Sequence, residues 1–189
     1  PWAAQRRNQA WYELAKRGAR IYPEIIDRLN QDGESSTGYR QVGALKLFAD
    51  EQKLKQTKSM LLKRKTDAPE MGAIHHVSSK TIQEKCPPIK PEYEALYIEG
   101  AARVDGHELR QALLKGAQKY GAIQIHGNAK LIEEAQRIIG IQTKHERIYA
   151  DIVIVTAGAW MNELFEPLNI LFDVYPQKAQ IIHLEIDNE

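Results

Sequence analysis

The sequence predicts a mixed α+β or α/β fold, on three observations. Apolar residues recur at helical spacing between Gln5 and Leu29 and again between Asp105 and Tyr120. After Gly121 the pattern changes to several short β runs, the signature of a meander. Asp151-Ile-Val-Ile-Val155 is an unbroken apolar run of strand length, which predicts a strand covered on both faces, as in a parallel sheet between layers.

The elements follow in order. Trp11, Leu14, Ala15, Gly18, Tyr22, Ile25 and Leu29 form the apolar face of the first helix, with Arg6, Arg7, Lys16, Arg17 and Arg20 pointing largely elsewhere. Pro23 lacks an amide donor and is expected to kink or interrupt its last turns. Gln31 to Gly38 is a loop. Tyr39 to Phe48 reads as a strand in which Gly43 marks a close backbone approach. Asp50 caps a helix to about Lys65 whose thin stripe of Leu54, Leu61 and Leu62 predicts a surface position. Ser78 or Ser79 caps a short helix that Pro87 and Pro88 end. Ala95 to Gly100 is a strand. Asp105 and Glu108 have capping-box spacing before a helix with Leu109, Leu113, Gly116, Ala117 and Tyr120 inward and Gly121 at its left-handed C-cap. The β runs are Ile123 to His126, Ala129 to Glu133, Arg137 to Thr143 and Ile148 to Val155, and Val174 to Ile186 is a final long strand.

Composition removes several function classes. With 26 Lys and Arg against 25 Asp and Glu, the net charge of +1 gives no footprint for nucleic acid or an anionic membrane. The basic run Gln5 to Arg7 with Trp2 and Trp11 reads as a solvated helix start rather than a nucleic-acid clamp. A single cysteine, Cys86, allows no internal disulfide and reads as a small packing residue, so a cytoplasmic setting is expected. No apolar run is long enough to span a membrane. His75 and His76, adjacent, lack metal-ligand spacing. No Gly-x-Ser-x-Gly, Walker or Gly-x-Gly-x-x-Gly motif occurs. What stands out is Thr156-Ala-Gly-Ala-Trp160, small residues just past an apolar run, which let a ligand approach the backbone.

Four stretches in one order carry a resemblance. Gly100-Ala-Ala-Arg-Val-Asp-Gly-His-Glu-Leu-Arg110 is similar to a strand-to-helix segment of the "val-asp/glu-pro" type, with Gly106 where proline is usual. Ala150-Asp-Ile-Val-Ile-Val-Thr-Ala-Gly-Ala-Trp160 is similar to "ala-asp-x-val-val-x-ala-x-gly-x-trp". Gln41-Val-Gly-Ala-Leu-Lys-Leu47 and Tyr175-Pro176-Gln-Lys-Ala-Gln180 resemble a "gly-x-leu/phe" and a "pro-val-lys-gly-gln" strand. Together they resemble the FAD-dependent amine oxidoreductases of the D-amino-acid oxidase, glycine oxidase and sarcosine oxidase type.

The resemblance implies the middle portion of a two-domain FAD-binding oxidoreductase. Residues 1–30 would be a helix associated with the FAD domain and 31–100 part of an antiparallel-sheet substrate domain. Residues 101–168 would supply helix, meander, strand and turn of the FAD domain, and 169–189 a return strand to the substrate domain. It implies that Pro1 and Trp2 end a loop near the isoalloxazine ring, and that Ala129 meets the adenine side of FAD. Ala157, Gly158 and Ala159 would pass beside the cofactor and Trp160 cover it, with Arg103 and Val104 weaker candidates. Ala129 read by itself is an ordinary strand residue, Gly158 a simple turn and Trp160 a core anchor. In that family a small amino acid or amine gives hydride from its α-carbon to the flavin, so no acid–base dyad is expected. An isolated chain of these residues would bind FAD weakly or not at all. A non-catalytic α+β binding module, and a flavoenzyme of the same fold acting on a 2-hydroxy acid or glycerol 3-phosphate, stay open as alternatives.

Overall fold

A computed structural model describes residues 1–4 and 8–180, and the chain divides into two units, Pro1–Ile123 and Gln124–Glu189. The run Gln5 to Arg7 and the end of the expected Val174 to Ile186 strand lie outside the described residues.

The first unit packs helices on a small antiparallel sheet. Helix α1 (Gln9–Gln31) is capped by the Asn8 side chain, which accepts the Trp11 amide at 2.9 Å, and it runs through Pro23 without ending there. Its buried residues are Tyr12, Lys16, Ile26 and Leu29, whereas Leu14 is 73% exposed. The buried face is therefore rotated from the expected one, and Lys16 lies on it. The ammonium of Lys16 is held by Asp67 and by Glu13 at 2.8 Å, and those hydrogen bonds, Asp67 first, hold it above the ordinary lysine range. Its aliphatic stem is what packs.

Strands β1 (Arg40–Gln41) and β2 (Ala44–Phe48) divide the expected Tyr39 to Phe48 strand at Gly43. Gly43 has φ +74°, and a Cβ there would lie 2.2 Å from the Tyr97 hydroxyl, which itself donates to the Val42 carbonyl at 3.2 Å. A glycine is required twice over, by conformation and by space. Helix α2 (Glu51–Lys65) starts at Asp50, whose carboxylate accepts the Lys53 amide. It is more than a surface helix, since Leu54 and Leu61 are buried in the core while Leu62 is half exposed. Burial at that depth stabilises by about 2 kcal/mol per side chain.

A 3-10 turn over Pro69–Met71 leads to β3 (Ile74–Val77). Helix α3 (Ser79–Lys85) is capped by Ser78, and Cys86 is its C-cap, donating its amide to Ile82. Strand β4 (Glu94–Ile98) is central, with the order β2-β4-β3 and antiparallel pairs such as Leu45↔Tyr97 and His75↔Tyr97. Trp2, Tyr12, Phe48, Leu54, Leu61, Met71, Leu96 and Ile98 form one core cluster on its helix side. His75 and His76 each take a carboxylate of β4 or its end, His75 with Glu99 and His76 with Glu94, both at 2.8 Å.

Strand β5 (Ala102–Arg103) pairs with β1, and α4 (Gly106–Lys119) follows. Asp105 caps α4 by accepting the His107 and Glu108 amides at 2.9 Å, while its own amide donates to the Thr37 carbonyl. The inward residues are Leu109, Ala112 and Gly116, packed on Ile26 and Leu29 of α1. Leu113, Ala117 and Tyr120 are exposed, contrary to expectation; the face turned to α1 is the one that carries Gly116, where a Cβ would lie 3.2 Å from Leu29 Cδ2. Gly121, at φ +91°, closes the helix with amide bonds from Gly121 to Gln118 and Ala122 to Ala117.

In the second unit β6 (Lys130–Glu134), β7 (Arg137–Gln142) and β8 (Arg147–Tyr149) form an antiparallel meander in that order. Gly140 on β7 is buried, where a Cβ would lie 2.1 Å from the Ile148 carbonyl oxygen. Several expected strand stretches do not form among the described residues. Residues 123–126 make no ladder, and Asp151 to Val155 pairs with no strand among the described residues, leaving Ile152 and Ile154 78% and 81% exposed. An apolar run fixes strand propensity, whereas a ladder also needs a partner within reach. Residues 174–180 form no strand either. Beyond 155 come a 3-10 turn (Gly158–Trp160), α5 (Met161–Phe165) and a second 3-10 turn (Glu166–Leu168) ended by Asn169 in the left-handed region.

The β6–β7 hairpin turns on Ala135 and Gln136, both left-handed at φ 49° and 63°. Neither residue favours that region, at about 1–2 kcal/mol each, whereas Asn-Gly does. The double change Ala135→Asn, Gln136→Gly is expected to raise unfolding stability by about 1 kcal/mol in urea melts.

Glu99 supplies a second test. The His75 hydrogen bond first, and the Ala73 amide next, hold its carboxyl below the ordinary range. A depressed folded value gives stability that is present above the unfolded pKa, near 4.3, and lost as pH falls through the folded value. Glu99→Gln is expected to be less stable than the wild type at pH 7, with the difference shrinking in melts as pH falls below about 4.3 and through the folded value.

Candidate functional site

The second unit contains a cleft of about 660 Å³. One wall is the chain entering β6, Gly127, Asn128, Ala129, Lys130 and Leu131; the other is the run Trp160, Glu163, Leu164, Pro167 and Leu168 around α5. The walls exist because Gly158, at φ +55°, lets the chain leave the 151–157 segment and turn into α5, whose Leu164 and Leu168 fall four residues apart on one side. Trp160 is 66% exposed among the described residues.

Gly127 and Gly158 face open space, since a Cβ at either would meet no atom within 4 Å. Flat groups can therefore lie against the backbone at both. Apolar faces come from Leu131, Leu164, Pro167, Leu168 and the indole, and polar edges from Asn128, Lys130 and Glu163. That donor set fits a planar heteroaromatic group such as the adenine of FAD: apolar surface for its faces, an amide and two opposite charges for its rim.

Of the residues expected from the sequence, the structure brings Ala129 and Trp160 together across this cleft. Ala157 and Ala159 are half-buried beside it in sequence, and Gly158 is exposed. Pro1 and Trp2 belong to the other unit, where Pro1 is exposed and the Trp2 ring is a core residue at 5% exposure. Arg103 is an exposed β5 residue paired with Arg40, and Val104 packs against the Ile26 and Leu29 cluster. Neither lines the cleft. Gly127, Asn128, Lys130, Leu131, Glu163, Leu164, Pro167 and Leu168 also line the cleft, and no motif in the sequence marks them.

The family model described as FAD dependent oxidoreductase matches residues 1–189. An uncharacterized oxidoreductase, YurR, of Bacillus subtilis (strain 168) is 48% identical over 186 residues, 98% of this chain and 50% of that protein. A glycine oxidase of Pseudomonas aeruginosa is 26% identical over 186 residues, 96% of this chain and 48% of its own length. The chain thus spans about half the length of these curated relatives. Among solved structures, iminodiacetate oxidase from Chelativorans sp. BNC1 superposes with a TM-score of 0.88 at 35% identity, over 94% of this chain and 48% of that one. Glycine oxidase from Bacillus cereus shares the fold, with a TM-score of 0.68 at 17% identity.

Ala129 is a small, half-buried residue lining the cleft. Ala129→Leu is expected to leave the unfolding midpoint near the wild-type value while weakening FAD binding by the longer parent protein about tenfold, read by equilibrium dialysis.

Proposed function

The chain belongs to the FAD-dependent oxidoreductase family, and on that premise we propose that its parent protein oxidises a small amino acid or secondary amine by hydride transfer to flavin. The cleft that joins Ala129 to Trp160 carries the cofactor part of this reading. Bound FAD would supply the hydride acceptor, and the chain supplies position. Ala129 presents backbone to the adenine side, while Ala157, Gly158 and Ala159 run beside the cofactor and Trp160 covers it. Pro1 and Trp2 serve near the isoalloxazine ring through backbone, with the buried Trp2 ring as the anchor that sets that backbone.

In this reading residues 1–30 and 101–168 belong to the FAD domain and residues 31–100 and 169–189 to the substrate domain. The substrate class is supported by the relatives' names. Glycine is a primary amino acid and iminodiacetate a secondary amine carrying carboxylates, and both types fall within the class proposed. A cytoplasmic setting belongs to the same proposal and is supported by the lone Cys86. Among the described residues no helix is long and apolar enough to cross a membrane.

The test uses the full-length gene product. It is expected to purify yellow and to lose its flavin absorbance, without oxygen, on addition of at least one of glycine, sarcosine, D-alanine or iminodiacetate. A colourless protein would sink the cofactor assignment. A yellow protein bleached by glycerol 3-phosphate or 2-hydroxyglutarate and by none of the amines would sink the substrate class.

A further inference from the structure

Among the described residues of the second unit, Asn162 ties α5 to the segment beyond it with three hydrogen bonds. Asn162 of α5 donates its amide to the Phe172 carbonyl at 3.0 Å and to the Val174 carbonyl at 3.1 Å, and its oxygen accepts the Phe172 amide at 2.8 Å. It offers an extended segment what a neighbouring strand would offer: a donor and an acceptor to one residue and a donor two residues on.

The segment is folded back to meet it. Asn169, in the left-handed region, turns the chain, the Ile170 amide donates to the Phe165 carbonyl at 3.2 Å, and the Phe165 and Phe172 rings meet edge to face at 5.0 Å. Trp160, Glu163, Leu164, Pro167 and Leu168, one wall of the cleft, lie on the element this arrangement secures. Helix α5 is five residues long, and among the described residues of 124–189 no apolar side chain is fully buried to hold it. So short a helix has little stability of its own.

We infer that Asn162 is a positioning residue for the cofactor cleft: it does not line the cleft, but by clasping 172–174 it fixes the wall that carries Trp160 and Leu164. The role rests on the reading of the cleft as the adenine side of an FAD site.

The test uses the full-length apoprotein titrated with FAD and with FMN, which lacks the adenylate half. Asn162→Ala is expected to raise the Kd for FAD about tenfold and to leave that for FMN unchanged. Asn162→Asp, nearly the same size, keeps the acceptor but loses both donors, so it is expected to weaken FAD at least as much. Wild-type FAD affinity in either variant, or equal losses for FAD and FMN, overturns the positioning role and leaves the cofactor site standing. A wild-type protein that binds no FAD overturns both. Should the alanine variant fail to fold, the aspartate variant decides by the same comparison.

Discussion

Arg64 holds the first unit's core to its irregular start. From the last turn of α2 its guanidinium donates to the Trp2 and Ala4 carbonyls and lies 4.4 Å from the centre of the Tyr12 ring. Residues 1–4 form no helix or strand, so their carbonyls need partners from elsewhere. Arg64 supplies those of Trp2 and Ala4, and in doing so brings the segment, α1 and α2 to one place. Lys46 reinforces it by donating to the Ala3 carbonyl at 2.7 Å. Trp2 reaches the core because the backbone on either side of it is held in this way, with Phe48, Leu54, Leu61 and Leu96 completing the cluster.

The second unit solves a different problem. Its meander is ordered by local bonding: Thr143 accepts the His145 and Glu146 amides to shape one turn, and Glu133 accepts the Gln136 amide at the other. Asn162 does the same for the chain beyond α5. Among the described residues of this unit, large apolar side chains such as Ile152, Ile154 and Trp160 are exposed.

Much of this fold was legible in the residues. Caps at Asp50, Ser78 and Asp105, the left-handed Gly121 and the tight approach at Gly43 follow from local chemistry, and each is found. What failed was non-local. The inward face of α1 includes Lys16 because Asp67, far along the chain, neutralises it, and no periodicity reports that pairing. The inward face of α4 carries Leu109, Ala112 and Gly116 rather than Leu113, because the side on which α1 packs decides it, and hydrophobicity alone does not report that side. At the cleft, Ala129 and Trp160 came from resemblance, and Lys130, Glu163 and Asn162 carry no signal that separates them from ordinary surface residues.

Gly43 and Tyr97 show how such a fold constrains its own divergence. The tyrosine hydroxyl fills the volume that any side chain at position 43 would need, so the two positions form a single unit of change. A lineage that shortens Tyr97 frees the space but not the conformation, since φ +74° still admits little beyond glycine or asparagine. A lineage that alters Gly43 first meets a clash and a strained backbone at once. The permitted route runs through the tyrosine, and the order in which the two residues can vary is written into the bend between β1 and β2.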